Sequence, residues 1–167
     1  MNEDIKIKIS NLTKIFGPKA KSVLQYVDNG MSKDDLLKEH QHVLGLSNIN
    51  LELRNKNIEV IMGLSGSGKS TLIRHINRLI DPTAGSITIG GEDIIGMSKE
   101  KLRQFRQQKT AMVFQSFALL PHKTVMDNVC YGIFLQGVTG DEAHQRAKRW
   151  IDRVGLSGYE DRYPSQL

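Results

Sequence analysis

The chain has 167 residues, of which 39% are hydrophobic and 25% charged, a balance that suits a globular domain with its own core and argues against disorder. The net charge of +5 comes from Lys and Arg residues spread along the chain, which gives no nucleic-acid surface but leaves cations for a small polyanion. The single cysteine, Cys130, can form no internal disulfide and has no metal-ligand spacing around it, which fits a reducing cytosol. Met1 to Lys8 lacks the apolar core of a signal peptide, and no stretch approaches the roughly 20 apolar residues of a membrane span. Any membrane role is therefore expected to run through a partner.

Ile5, Ile7 and Ile9 alternate with polar residues and open a half-buried strand, which Gly17-Pro18 ends. From Lys19 to His42 the spacing of Val23, Leu24, Val27, Met31, Leu36 and Leu37 predicts two short helices, with Ser32 and Asp35 resembling a capping box. Ile49, Leu51 and Leu53 alternate again, and Asn55-Lys56-Asn57 makes a turn. Ile58 to Met62 reads as a core strand, where Glu59 is unusual and costs stability unless paired or wet. A helix starting near Lys69 presents Leu72, Ile73, Ile76, Leu79 and Ile80 until Asp81-Pro82 stops it. Gly90-Gly91 between short apolar runs predicts a tight hairpin. Ser98 caps a polar helix from Lys99 to Gln108, and Ala111 to Phe114 reads as a short buried strand. A loop marked by Pro121 follows. Thr139 and Glu142 form a second capping box for a helix whose apolar face is Ala143, Ala147, Trp150, Ile151 and Val154, closed by Gly155.

The chemistry is concentrated in Gly63-Leu64-Ser65-Gly66-Ser67-Gly68-Lys69-Ser70, a full match to G-x-x-x-x-G-K-[ST]. The glycines let successive N–H groups curl into an anion nest, and the following helix aims its positive end at the same point. Lys69 adds a point charge for β- and γ-phosphates, the Ser70 hydroxyl can ligate Mg²⁺, and Thr71 adds a further hydroxyl. An apolar run leads in and an amphipathic helix leads out, the context this motif requires.

Many phosphate-binding enzymes share the loop. The order of features around it resembles the ATP-binding cassette (ABC) ATPase family. Lys14-Ile15-Phe16-Gly17 stands where that family places an aromatic on adenine, which nominates Phe16. Ala111-Met112-Val113-Phe114-Gln115-Ser116 looks like the strand and start of the family's Q-loop. The resemblance implies that Gln115 contacts Mg²⁺ and the attacking water and senses the γ-phosphate, a task its amide suits because it both accepts and donates. Leu119 to Asn128 resembles the segment that docks on permease subunits, with no catalytic part for His122. The insertion from Pro18 to His42, the stretch Val60 to Thr71 and the run Met112 to His122 together look like the ATP-binding subunit of glycine betaine/L-proline (quaternary amine) importers.

The fold this implies is α/β: a P-loop NTPase, the N-terminal part of an ABC ATPase nucleotide-binding domain spanning 1–167, with an antiparallel β subdomain and an incomplete helical subdomain. Within it lie a helical insertion at 18–42, the phosphate loop at 63–71, and the Q-loop and start of the helical subdomain at 115–167. The implied ligands are ATP and Mg²⁺, held by Phe16, Gly63, Ser65, Gly66, Ser67, Gly68, Lys69, Ser70 and Thr71, with Ser70 and Gln115 at the metal and Gln115 in the catalytic position. Implied partners are membrane-spanning permease subunits, a second ATPase subunit and, indirectly, an extracytoplasmic solute-binding protein. The implied location is the cytoplasmic face of the membrane.

The family continues with a Ser-Gly-Gly signature where this sequence stops at Pro164-Ser165-Gln166-Leu167. The stretch is thus expected to lack the signature, the Walker B Asp, the catalytic Glu and the switch His, to bind ATP at most, and to be poorly stable alone. A nucleotide kinase or GTPase is the competing enzyme class, but no Asn-Lys-x-Asp guanine motif is present. A non-catalytic gene fragment, or a cassette for another solute, remains as a further reading.

Overall fold

A computed structural model describes residues 5–114 and 118–167. The chain packs as two compact units, one reaching to Leu102 and the other Arg103–Leu167.

The first unit is built on a four-stranded antiparallel sheet in the order β2-β1-β3-β4, from β1 (Ile5–Phe16), β2 (Val43–Arg54), β3 (Ala84–Ile89) and β4 (Glu92–Asp93). The alternation at Ile5, Ile7 and Ile9 reverses face at Asn11, which takes φ 51° as the β1–β2 register shifts between Ile9 and Leu12. The bulge lets Ile9, Leu12 and Ile15 all point inward, and each is at most 1% exposed. The predicted hairpin forms: Gly90 (φ 59°) and Gly91 (φ 85°) supply the two positive φ angles of a two-residue turn between β3 and β4.

Between β1 and β2 the chain makes a short 3-10 turn (Ala20–Val23), then α1 (Leu24–Asp28) and α2 (Lys33–His40). Ser32 caps α2 as predicted: its hydroxyl accepts from the Asp35 amide at 3.1 Å and donates to the Asp35 carboxylate at 2.6 Å. Val23 and Leu36 pack with Ile15, so this excursion is pinned to β1, while Leu37 stays half exposed. Helix α3 (Lys69–Ile76) ends earlier than the Asp81-Pro82 stop. Arg78 adopts φ 46°, its amide bonds the His75 carbonyl and the Leu79 amide bonds that of Arg74, a closed C-terminal turn. Its buried face is Leu72 and His75, not Ile73 and Leu79. Helix α4 (Lys99–Gln108) has the predicted bounds, with Ser98 accepting from the Lys101 amide at 3.3 Å.

The two predicted buried strands, 58–62 and 111–114, do not form. Ile58 (94% exposed) and Val113 (98%) mark the two segments, 58–62 and 111–114, as open chain, and Glu59 lies in water rather than in a core strand. A buried strand exists only through its ladder and the layers on its faces, and among the described residues no strand pairs with either segment.

The second unit is centred on α5 (Val125–Leu135) and α6 (Gly140–Arg153). They pack through Cys130, Ile133, Ala143 and Ala147. Burial, with the Asp127 charge adding to it, pushes the Cys130 thiol up, so it stays an unreactive core group. Thr139 precedes α6 without a side-chain cap bond. Gly155 (φ 76°) closes α6 as predicted: its amide bonds the Asp152 carbonyl and the Leu156 amide that of Ile151. Trp150 and Val154 are outside the buried face; the indole is half exposed and takes the Arg153 guanidinium over its ring at 5.0 Å. Among the described residues no helix is long and apolar enough to cross a membrane.

Candidate functional site

The phosphate-loop residues Gly63, Ser65, Gly66, Ser67, Gly68, Lys69, Ser70 and Thr71 lie together at the start of α3. The Leu72 amide bonds the Gly68 carbonyl at 2.8 Å and closes the first helical turn. The amides of Lys69, Ser70 and Thr71 therefore have no carbonyl within the helix, and Gly68, the cap residue, has no side chain to satisfy them. They and the positive helix end face the exposed loop, where an anion fits. Inside the loop the Ser67 amide bonds the Leu64 carbonyl at 3.2 Å. The Lys69 ammonium donates to the carbonyls of Gly63 (2.8 Å) and Leu64 (2.7 Å) and lies 3.4 Å from the Ser67 hydroxyl. Its charge is thus held over the loop mouth by oxygens that a phosphate can replace.

Two glycines carry the geometry. Gly68 (φ 92°) is wedged against β2: a Cβ there would meet the Gly45 oxygen at 2.8 Å and Leu46 Cδ2 at 2.9 Å. Gly45 also receives the Phe16 ring, since its own Cβ would meet Phe16 Cε2 at 2.6 Å. One strand residue thus sets both the C-terminal end of the phosphate loop and Phe16, which are neighbours across it. Phe16 is 38% exposed, with the Lys14 ammonium 5.1 Å from its ring centre. Lys14 is itself tied to the Asp81 carbonyl at 2.8 Å.

Sequence reasoning missed Gly45, although an isolated glycine in a strand pattern signals close backbone approach. It also missed His75, two turns into α3 and fully buried. His75 Nδ1 donates to the Thr71 carbonyl at 2.7 Å, whereas its Nε2 is buried without a partner among the described residues. Burial above all pushes the His75 pKa below its ordinary value; the Thr71 bond opposes this, Lys14 adds to it and Asp81 opposes it.

Gln115 lies outside the described residues. Ser70 is exposed beside the loop, and a Mg²⁺ held there fits this donor set only with phosphate and water oxygens supplying the rest, the usual habit of that ion. Among the described residues no cluster of three or more His, Cys, Asp or Glu side chains could hold a metal by itself.

The segment Leu119–Asn128 is organised by Asn128. Its Oδ1 accepts from the Leu120 amide at 2.8 Å, and its Nδ2 lies within 3.1 Å of the carbonyls of Leu120, Lys123 and Thr124. The first amides of α5 are satisfied from outside: Val125 bonds the Arg162 carbonyl (2.8 Å) and Met126 that of Glu160 (2.9 Å). His122 is exposed.

Residues 46–167 match the family profile described as ABC transporter. The chain belongs to the ABC transporter family. It is 49% identical over 98% of its length to the glycine betaine transport ATP-binding protein of Bacillus subtilis (strain 168). It is 45% identical over 98% of its length to the glycine betaine/proline betaine transport system ATP-binding protein of Escherichia coli (strain K12). It spans 39% and 41% of those two relatives. Among solved structures, a dimeric ATP-binding cassette in a post-hydrolysis state bound to ADP and Pi superposes with TM-score 0.72 at 28% identity, covering 96% of this chain and 62% of that one. The P-loop NTPase fold expected from the motif is thus shown for this chain. The ABC ATPase family hydrolyses ATP, and Mg²⁺ accompanies the nucleotide in the family generally.

Proposed function

We propose that this chain is part of the ATP-binding subunit of an ABC importer for glycine betaine- and proline-type osmolytes. The observation that carries the reading is the meeting of an open phosphate loop, a helix N-terminus and a half-exposed aromatic ring around Gly45. In this reading the amides at the start of α3 and the Lys69 ammonium bind the β- and γ-phosphates, and Phe16 stacks on the base. Ser70 and Gln115 hold the metal, which when bound neutralises phosphate charge. Gln115 positions the attacking water and relays the state of the γ-phosphate. The site acts by electrostatic stabilisation coupled to conformational change. The loop braced by Asn128 faces permease subunits on the cytoplasmic side of the membrane, and a second cassette completes the nucleotide sandwich. The osmolyte class is supported by the functions of the two relatives and by the 18–42 insertion.

The test is Mg²⁺-ATP binding with Lys69→Ala as the control, followed in the same tube by phosphate release. Loss of the charge-assisted contacts should weaken binding by about tenfold or more. Affinity unchanged by Lys69→Ala would sink the assignment of the loop.

A further inference from the structure

A ring that stacks on a base must sit at a fixed place, and Phe16 occupies one that could slip. It is the last residue of β1 and pairs with Val43, the first of β2. Terminal rungs of a ladder fray unless something ties them. Beyond this rung the chain leaves for residues 17–42 and returns, and the buried His42 (7% exposed) stands at the crossing. Its Nε2 lies 2.8 Å from the Pro18 carbonyl on the outgoing side, and its Nδ1 lies 2.6 Å from the His40 carbonyl on the returning side. Both partners are backbone carbonyls, so each ring nitrogen of His42 faces an acceptor, one on either side of the crossing. Gly17 lies against the imidazole, so that any Cβ there would overlap the ring.

The excursion itself aims this histidine. Ser32 caps α2, and Leu36 anchors it on Ile15 and Val23. Gln41 turns left-handed (φ 58°), and the His42 amide bonds the Leu36 carbonyl at 3.3 Å. The ring is thereby folded back onto Gly17-Pro18. On the far side of β1, just before β3 begins, the Thr83 hydroxyl accepts from the Ile15 amide at 3.0 Å.

We infer that His42 is a positioning residue for the nucleotide base: it buckles the open end of the β1–β2 ladder and so holds Phe16 against Gly45 beside the phosphate loop. This gives residues 18–42 a part in nucleotide recognition. It rests on the stacking role proposed above for Phe16, and His42 itself does not touch the nucleotide.

The experiment compares two ligands on the full chain, Mg²⁺-ATP and Mg²⁺-tripolyphosphate, which offers the phosphates without a base. Phe16→Ala and His42→Ala should each weaken ATP binding by about fivefold or more, the low end of what base–aromatic stacking is worth. Tripolyphosphate binding should stay within about twofold, since that ligand has no base to stack. His42→Gln, which keeps an N–H donor for one carbonyl, should lie between wild type and His42→Ala. Unchanged ATP binding by His42→Ala overturns the inference, and so does an equal loss of both ligands in both His42 variants, which would make the residue merely structural. A Phe16→Ala chain that binds both ligands normally overturns the stacking role itself, whatever the His42 variants do.

Discussion

Replacing Gly68 by alanine separates two costs that the fold imposes at one position. The first is conformational: at φ 92° an L-residue is strained by about 1–2 kcal/mol. The second is steric: the new Cβ would meet the Gly45 oxygen at 2.8 Å, a backbone atom of β2 that cannot swing aside. Overpacking of this kind costs about 1–3 kcal/mol. Gly68→Ala should therefore lose about 2–5 kcal/mol in all. Gly66 is the internal control, because it has a similar angle (φ 77°) with nothing within 4 Å of its Cβ position, so Gly66→Ala pays only the first cost. Urea unfolding of both variants reads the difference as a shift in midpoint, provided the slope is unchanged. Equal losses in the two variants, within about 0.5 kcal/mol, would refute the close approach of α3 to β2 and with it the shared placement of loop and Phe16.

Two other perturbations test the packing. His75 has its pKa lowered in the fold, chiefly by burial, so below its ordinary value of 6.5 the unfolded chain takes up a proton that the folded chain does not. Its contribution is fully present above pH 6.5 and is lost as the pH falls from there toward the folded pKa; His75→Phe should flatten the fall of Tm across that window, and an unchanged pH profile would contradict the neutral buried ring. On α6, Ile151→Ala should cost about 2–5 kcal/mol and Trp150→Ala under about 1 kcal/mol by denaturant titration; a reversed order would return the indole to the core.

The features legible in the sequence were those whose causes are local. The Gly90-Gly91 turn, the Ser32 and Ser98 caps and the Gly155 helix stop each depend on residues within a few positions, and all appear as read. The Gly63–Ser70 motif was equally plain as a sequence pattern, and it stands at the start of α3. The Thr139 cap is a local reading that does not form; the other failures have distant causes. The apolar runs at 58–62 and 111–114 specify strands only when neighbours complete a ladder, and composition cannot say whether those neighbours are in place. Helical spacing put Trp150 on the buried face, but the α5–α6 seam closes on alanines and leaves the large ring to pair with Arg153. Phe16 was nominated through resemblance alone, whereas the residues around it, Gly45 and His42, come together only when β1 and β2 pair.

The borrowed carbonyls at the head of α5 bind two stretches of chain into a single opening event. Val125 and Met126 can release their amides to solvent only when Arg162 and Glu160 draw back, and those carbonyls can withdraw only by baring the helix end. The loop braced by Asn128 and the segment 160–162 thus share one free energy of opening, so a push on either is felt as a loss of protection at both.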